Sequence, residues 1–128
     1  MATKPENYLP HRPPFLFVDE VDATADGKRI TGHYTFTGKD FFFAGHFPEN
    51  PVVPGVILTE ALAQCGGAGL VASGLVSKGV VYTLATLDSV AFRRKVLPDE
   101  RLDIEVDTIN LKRSIVVQSG RGFVNGEL

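Results

Sequence analysis

Along the chain, apolar positions fall into two kinds of run. In RLDIEVDTI, Leu102, Ile104 and Val106 alternate with Asp103, Glu105 and Asp107. A period of two with one polar face predicts a half-buried antiparallel strand. FLFVDEV (15–21) and RITGHYTF (29–36) are rich in strand formers and flank the turn-like DATADGK. In the second of these, Ile30, Gly32, Tyr34 and Phe36 share a face, which turns His33 towards solvent. Residues 80–94 read as a long extended segment, LPDE as a turn, and SIVVQSGRGFV as a further strand after NLKR. Asn125-Gly126 is a hairpin signal. A returning strand is expected beyond it, yet the sequence stops at Leu128, so the domain reads as lacking its last strand.

The other kind of run extends from Val56 to about Ala72. It is apolar on most sides, as expected of a buried helix, and Pro54 suits the position just before it. Gly66, Gly67 and Gly69 each cost about 1 kcal/mol of helix propensity, which makes sense if something packs very close there. Two strands, one buried helix and then at least three strands predict an α+β fold, an antiparallel sheet around one long central helix, rather than a doubly wound one.

A chain of 128 residues fits one domain. Thirteen basic against fifteen acidic residues leave a formal charge of -2, which argues against nucleic acid as a bulk electrostatic partner. The single cysteine, Cys65, has no internal disulfide partner, so a reducing, cytoplasmic setting is the simple expectation. The N-terminal MATKPENYLPH has no apolar signal core, and the apolar stretches are too short or too interrupted to predict a membrane span.

Candidate chemistry gathers in GHFPENPVVPG (45–55) and the helix behind it. His46 sits in a loop stiffened by three prolines, and imidazole can take and give protons near neutrality. Its plainer reading is a satisfied, half-buried histidine. Glu60 is the only charged residue from Pro51 to Ser77. An apolar wall favours the protonated carboxyl, which can donate; the plainer reading is a rim residue facing water. Asp88 is a spare acid, and His11 reads as a residue of an extended N-terminal arm. No spacing joins the histidines and carboxylates into a metal site. The backbone N–H groups of Gly55 and Val56 open the helix and can hold a carbonyl oxygen that gains negative charge. Base, acid and oxyanion donor together suit proton abstraction beside a carbonyl, then loss of a β-substituent.

LPHRPPFLFVDEV (9–21), GHFPENPVVPGVILTEALAQCGG (45–67) and VAFRRKVLPDERL (90–102) closely resemble the β-hydroxyacyl-acyl carrier protein dehydratases of type II fatty acid synthesis. The resemblance implies a hotdog fold, a homodimer or trimer of dimers with sites at the dimer interface, and no cofactor. It implies conversion of a (3R)-hydroxyacyl thioester on acyl carrier protein to the trans-2-enoyl thioester. His46 would act on the C2 proton, and Glu60 of the other subunit on the β-hydroxyl. Gly55, with Val56, would receive the thioester carbonyl. Phe47, Leu62, Gly66 and Leu70 would line the acyl tunnel, and the basic run Arg93, Arg94, Lys95 would dock the acidic carrier. Glu49, Pro14, Lys95 and Asp99 depart from the family pattern. A hotdog thioesterase and a non-catalytic acyl-binding subunit are the competing expectations.

Overall fold

The computed structural model of the protein describes residues 3–46, 49, 51–77, 87, 89–112 and 115–126. Four strands, β1 (Glu20–Ala23), β2 (Arg29–Thr35), β3 (Arg101–Leu111) and β4 (Val116–Phe123), form an antiparallel sheet in the order β1-β2-β3-β4. One helix, α1 (Gly55–Ala72), contacts all four. This is the α+β hotdog arrangement, a sheet around a central helix.

The register puts Ile30 opposite Val106 and Tyr34 opposite Leu102. The alternation in the sequence therefore becomes one apolar face: Val21, Ile30, Leu102, Ile104 and Val106 are all buried. Fully burying a side chain of this size contributes about 1.5–3 kcal/mol. His33 lies on the opposite face, as its phase predicts, but it is half-covered rather than open. Register pairs it with Glu20, and its Nε2 lies 3.0 Å from Glu20 Oε1.

Of Gly66, Gly67 and Gly69, two have the close neighbours their propensity cost predicts. A Cβ at Gly69 would fall 2.5 Å from the Ile30 side chain, and one at Gly66 would run into the Gln118 amide. By length and composition α1 could cross a membrane, but its packing on four strands assigns that apolarity to the core.

The expected strand FLFVDEV is mostly not a strand. Ladder pairing starts only at Asp19, whose N–H donates to the His33 carbonyl at 2.7 Å. Upstream, the Gln64 side chain takes the place of a strand partner: its Oε1 accepts the Phe17 N–H at 2.7 Å and its Nε2 donates to the Phe15 carbonyl at 3.1 Å. Of the extended segment expected over 80–94, residues 80–86 and 88 lie outside the described residues, and 89–94 form no strand. At the C-terminal end, Asn125 (φ 51°) and Gly126 (φ 80°) are both left-handed, the backbone that an Asn-Gly hairpin turn requires.

Candidate active site

The loop that carries His46 is tied at both ends. Buried Phe42 and Phe43 anchor the 3₁₀ turn Phe41–Ala44, and the His46 N–H donates to the Phe42 carbonyl at 3.0 Å. Across the loop, the Val52 N–H donates to the His46 carbonyl at 3.2 Å, and His46 Nδ1 lies 3.1 Å from the Val52 carbonyl oxygen. A carbonyl oxygen only accepts, so Nδ1 must carry the hydrogen. That makes Nε2 the basic nitrogen of the neutral ring.

The chain then passes Val53, whose N–H donates to the Val96 carbonyl at 2.8 Å, and enters α1 behind Pro54. Ile57 and Leu58 N–H both donate to the Pro54 carbonyl, at 2.9 and 3.2 Å. The Gly55 and Val56 N–H groups come before these bonds and have no acceptor among the described residues. They sit at the positive end of the helix dipole.

Glu60 follows in the second turn. Its side chain is 23% exposed, so it is neither on an open rim nor sealed in. Oε2 accepts Nε2–H of Gln64 at 2.9 Å. The orientation of that amide is forced, because Phe17 N–H can only donate and the Phe15 carbonyl can only accept. With Oε2 taken as an acceptor, a proton carried by Glu60 belongs on Oε1. His11 is no bystander in an open arm: its Nε2 lies 3.7 Å from the same Oε2. Arg12 holds the arm, donating to the carbonyls of Leu9 and His11 at 2.7 Å each. Gln64, which the sequence reading left aside, and His11, which it read only as an arm residue, are thus both polar neighbours of Glu60. The available signal was a lone amide one turn after the lone carboxyl in an otherwise apolar helix.

The other expected site residues are distributed as follows. Leu62 packs against Gly120, Gly66 against Gln118, and Leu70 is buried in the core at 1% exposure. At roughly 100° per residue, this stripe lies away from the one that carries Glu60, Gln64 and Gly67. Phe47 and Asp88 lie outside the described residues. Arg93 and Lys95 are exposed. Arg94 is not available in the same way: it forks onto Glu100 with bonds of 3.0 and 2.9 Å and holds that carboxyl below its ordinary range. Burial pushes the Cys65 thiol up to about 12, so it stays protonated and unreactive. A cavity of about 350 Å³ beside Tyr34 and Asp40 includes neither His46 nor Glu60.

The FabA-like domain model matches residues 9–128. The chain is 38% identical to a 3-hydroxyacyl-(acyl-carrier-protein) dehydratase FabZ of Clostridium kluyveri over 119 residues, 93% of this chain and 82% of the relative. It is 42% identical to the protein of the same name from Geobacillus thermodenitrificans over 120 residues, 94% of this chain and 82% of that one. A Listeria monocytogenes counterpart is 38% identical over 125 residues, covering 98% and 86%.

Proposed function

The chain belongs to the FabA-like domain family, and from that premise we propose that it dehydrates 3-hydroxyacyl thioesters carried on acyl carrier protein to trans-2-enoyl thioesters. The observation that carries the reading is the matched commitment of its two proton-transfer groups. Val52 holds the hydrogen of His46 on Nδ1, which makes Nε2 the base. Gln64 holds Glu60 Oε2, which makes Oε1 the acid.

In the reaction, the thioester carbonyl accepts the N–H groups of Gly55 and Val56. The positive end of α1 stabilises the charge that builds on that oxygen. His46 Nε2 removes the C2 proton, and the electron pair forms the C2–C3 double bond. Glu60 Oε1–H gives its proton to the hydroxyl on C3, the C3–O bond breaks, and water leaves. The site is left with protonated His46 and ionised Glu60, and exchange with solvent resets both. No electrons enter or leave, so no redox partner is required.

The pair is drawn from two subunits, His46 from one and Glu60 from its partner, in a homodimer or trimer of dimers. Exposed Val56, Ile109 and Ile115, at 76%, 66% and 62%, support self-association of one 128-residue hotdog domain. Arg93 and Lys95 steer the acidic carrier, and the acyl chain runs along α1. A lone buried thiol suits the cytoplasm. The test is product analysis with a 3-hydroxyacyl thioester: conjugated enoyl thioester is expected. Free acid with released thiol would make the protein a thioesterase, and binding without turnover would make it an acyl-binding subunit.

A further inference from the structure

Phe92 is an exposed aromatic with an unusual seat. It is 58% exposed, which is a poor position for a ring that serves only the core. Yet its ring covers the first residue of α1: a Cβ built on Gly55 would lie 2.9, 3.0 and 3.2 Å from three of its ring carbons. Gly55 has an ordinary negative φ, so its backbone conformation does not call for glycine. What demands glycine there is the ring. One face of Phe92 therefore lies on the backbone that presents the Gly55 N–H, while the remainder looks outward.

We propose that Phe92 is a positioning residue for the thioester, acting through Gly55. This rests on the reading that the N-terminus of α1 receives the thioester carbonyl. Two physical effects follow from the seat. An apolar ring over the first turn keeps water from part of that turn, and a hydrogen bond to a developing oxyanion is worth more where water is excluded. The ring is also a flat wall beside the N–H, which fixes the side from which the carbonyl and its carrier arm approach. Arg93 follows Phe92 directly and is exposed, so one short segment supplies both the wall and charge for the carrier.

The test is a double-mutant cycle between Gly55 and Phe92, with folding checked by circular dichroism. Phe92→Ala should lower kcat at least ~10-fold, less than the ~10²–10³-fold lost with an oxyanion donor itself, because the N–H groups remain. It should also weaken binding of an enoyl thioester, while leaving unchanged the affinity for the matching thioether, which lacks the carbonyl. Gly55→Ala should cause a similar loss by displacing the ring. The double variant should be no worse than the worse single, because both changes remove one contact. Losses that multiply, an unchanged kcat in Phe92→Ala, or equal weakening of thioester and thioether would each overturn the proposal. If Phe92→Ala does not fold, Phe92→Leu takes its place under the same criteria. A wild-type protein that fails to turn over hydroxyacyl thioester would instead count against the dehydratase reading itself.

Discussion

Gln64 Nε2 lies 2.9 Å from Glu60 Oε2, one helical turn back, and the same amide also binds the backbone of Phe15 and Phe17. One side chain thus ties the carboxyl, the helix and the segment entering the sheet. Gln64 is only 2% exposed, so water cannot replace it. Leucine at this position would leave the Phe17 N–H and the Phe15 carbonyl without their partner. A buried polar group left unsatisfied costs about 1–3 kcal/mol. Gln64→Leu should therefore lower the urea midpoint and also slow dehydration roughly 10-fold, less than the ~10²–10⁴-fold a general acid contributes, because Glu60 remains. A variant as stable and as active as wild type would dismiss the tie.

The helix glycines give opposite outcomes for one substitution. At Gly69 an added methyl meets Ile30 at 2.5 Å, in a core with nowhere to move. Overpacking costs typically about 1–3 kcal/mol, which outweighs the gain of about 1 kcal/mol in helix propensity. At Gly67 the nearest neighbour is Leu9, at 3.8 Å, ordinary contact. Gly69→Ala should destabilise and Gly67→Ala should stabilise, both read from urea unfolding.

Much of this was legible in the sequence because it depends on period. The alternation through Leu102, Ile104 and Val106 marked β3 and its buried face, and apolarity on most sides marked α1 as central. What escaped were contacts between segments distant in sequence. Phe15 to Val18 look like a strand, but the Phe17 N–H and the Phe15 carbonyl bond a side chain 47 and 49 positions away, which no local pattern encodes. His11 was unremarkable in its own neighbourhood and gains meaning only beside Glu60. Arg93, Arg94 and Lys95 look alike as a run, and only the fold sets Arg94 apart through Glu100.

That distinction separates the roles of the basic run. Arg93→Ala together with Lys95→Ala should raise KM for a carrier-bound substrate, by an amount that shrinks as salt rises, and should spare a small thioester analogue. Equal effects on both substrates would remove the docking role.

Arg94, paired with Glu100, carries a stability prediction of its own. Its guanidinium is the main reason the Glu100 carboxyl titrates below its ordinary 4.5, helped by the Leu97 N–H and opposed by partial burial. A carboxyl whose folded pKa is depressed adds stability above the unfolded value and loses it as pH falls through the folded one. The gap in stability between wild type and Arg94→Ala should be present at neutral pH. It should narrow progressively below about pH 4.5 in urea titrations. A gap that stays constant into acid would point to lost packing of the arginine stem instead.

The proposed division of His46 and Glu60 between subunits gives the sharpest test. Hydroxide is a poor leaving group, so the C3–O bond needs an acid as it breaks. Glutamine at 60 keeps the size of the side chain and a possible bond to Gln64, but has no acidic proton. Alanine at 46 removes the proposed base and the ring that spans the loop to Val52. General acid–base groups contribute typically about 10²–10⁴-fold, so Glu60→Gln and His46→Ala should each lose at least ~10² in turnover while remaining folded. If each site takes its histidine from one subunit and its glutamate from the other, mixing the two inactive proteins should restore activity. In a mixed dimer, one of the two sites then holds an intact His46 facing an intact Glu60, and the other holds neither. The recovered rate should therefore approach half of wild type per mixed dimer, as expected from that count. Subunit exchange would be followed by native mass spectrometry, and turnover by absorbance of the conjugated enoyl thioester. Confirmed exchange with no recovered activity would mean that both residues act within one chain. Full activity in Glu60→Gln alone would leave Glu60 a structural partner of Gln64 and make Asp88 the next acid to replace.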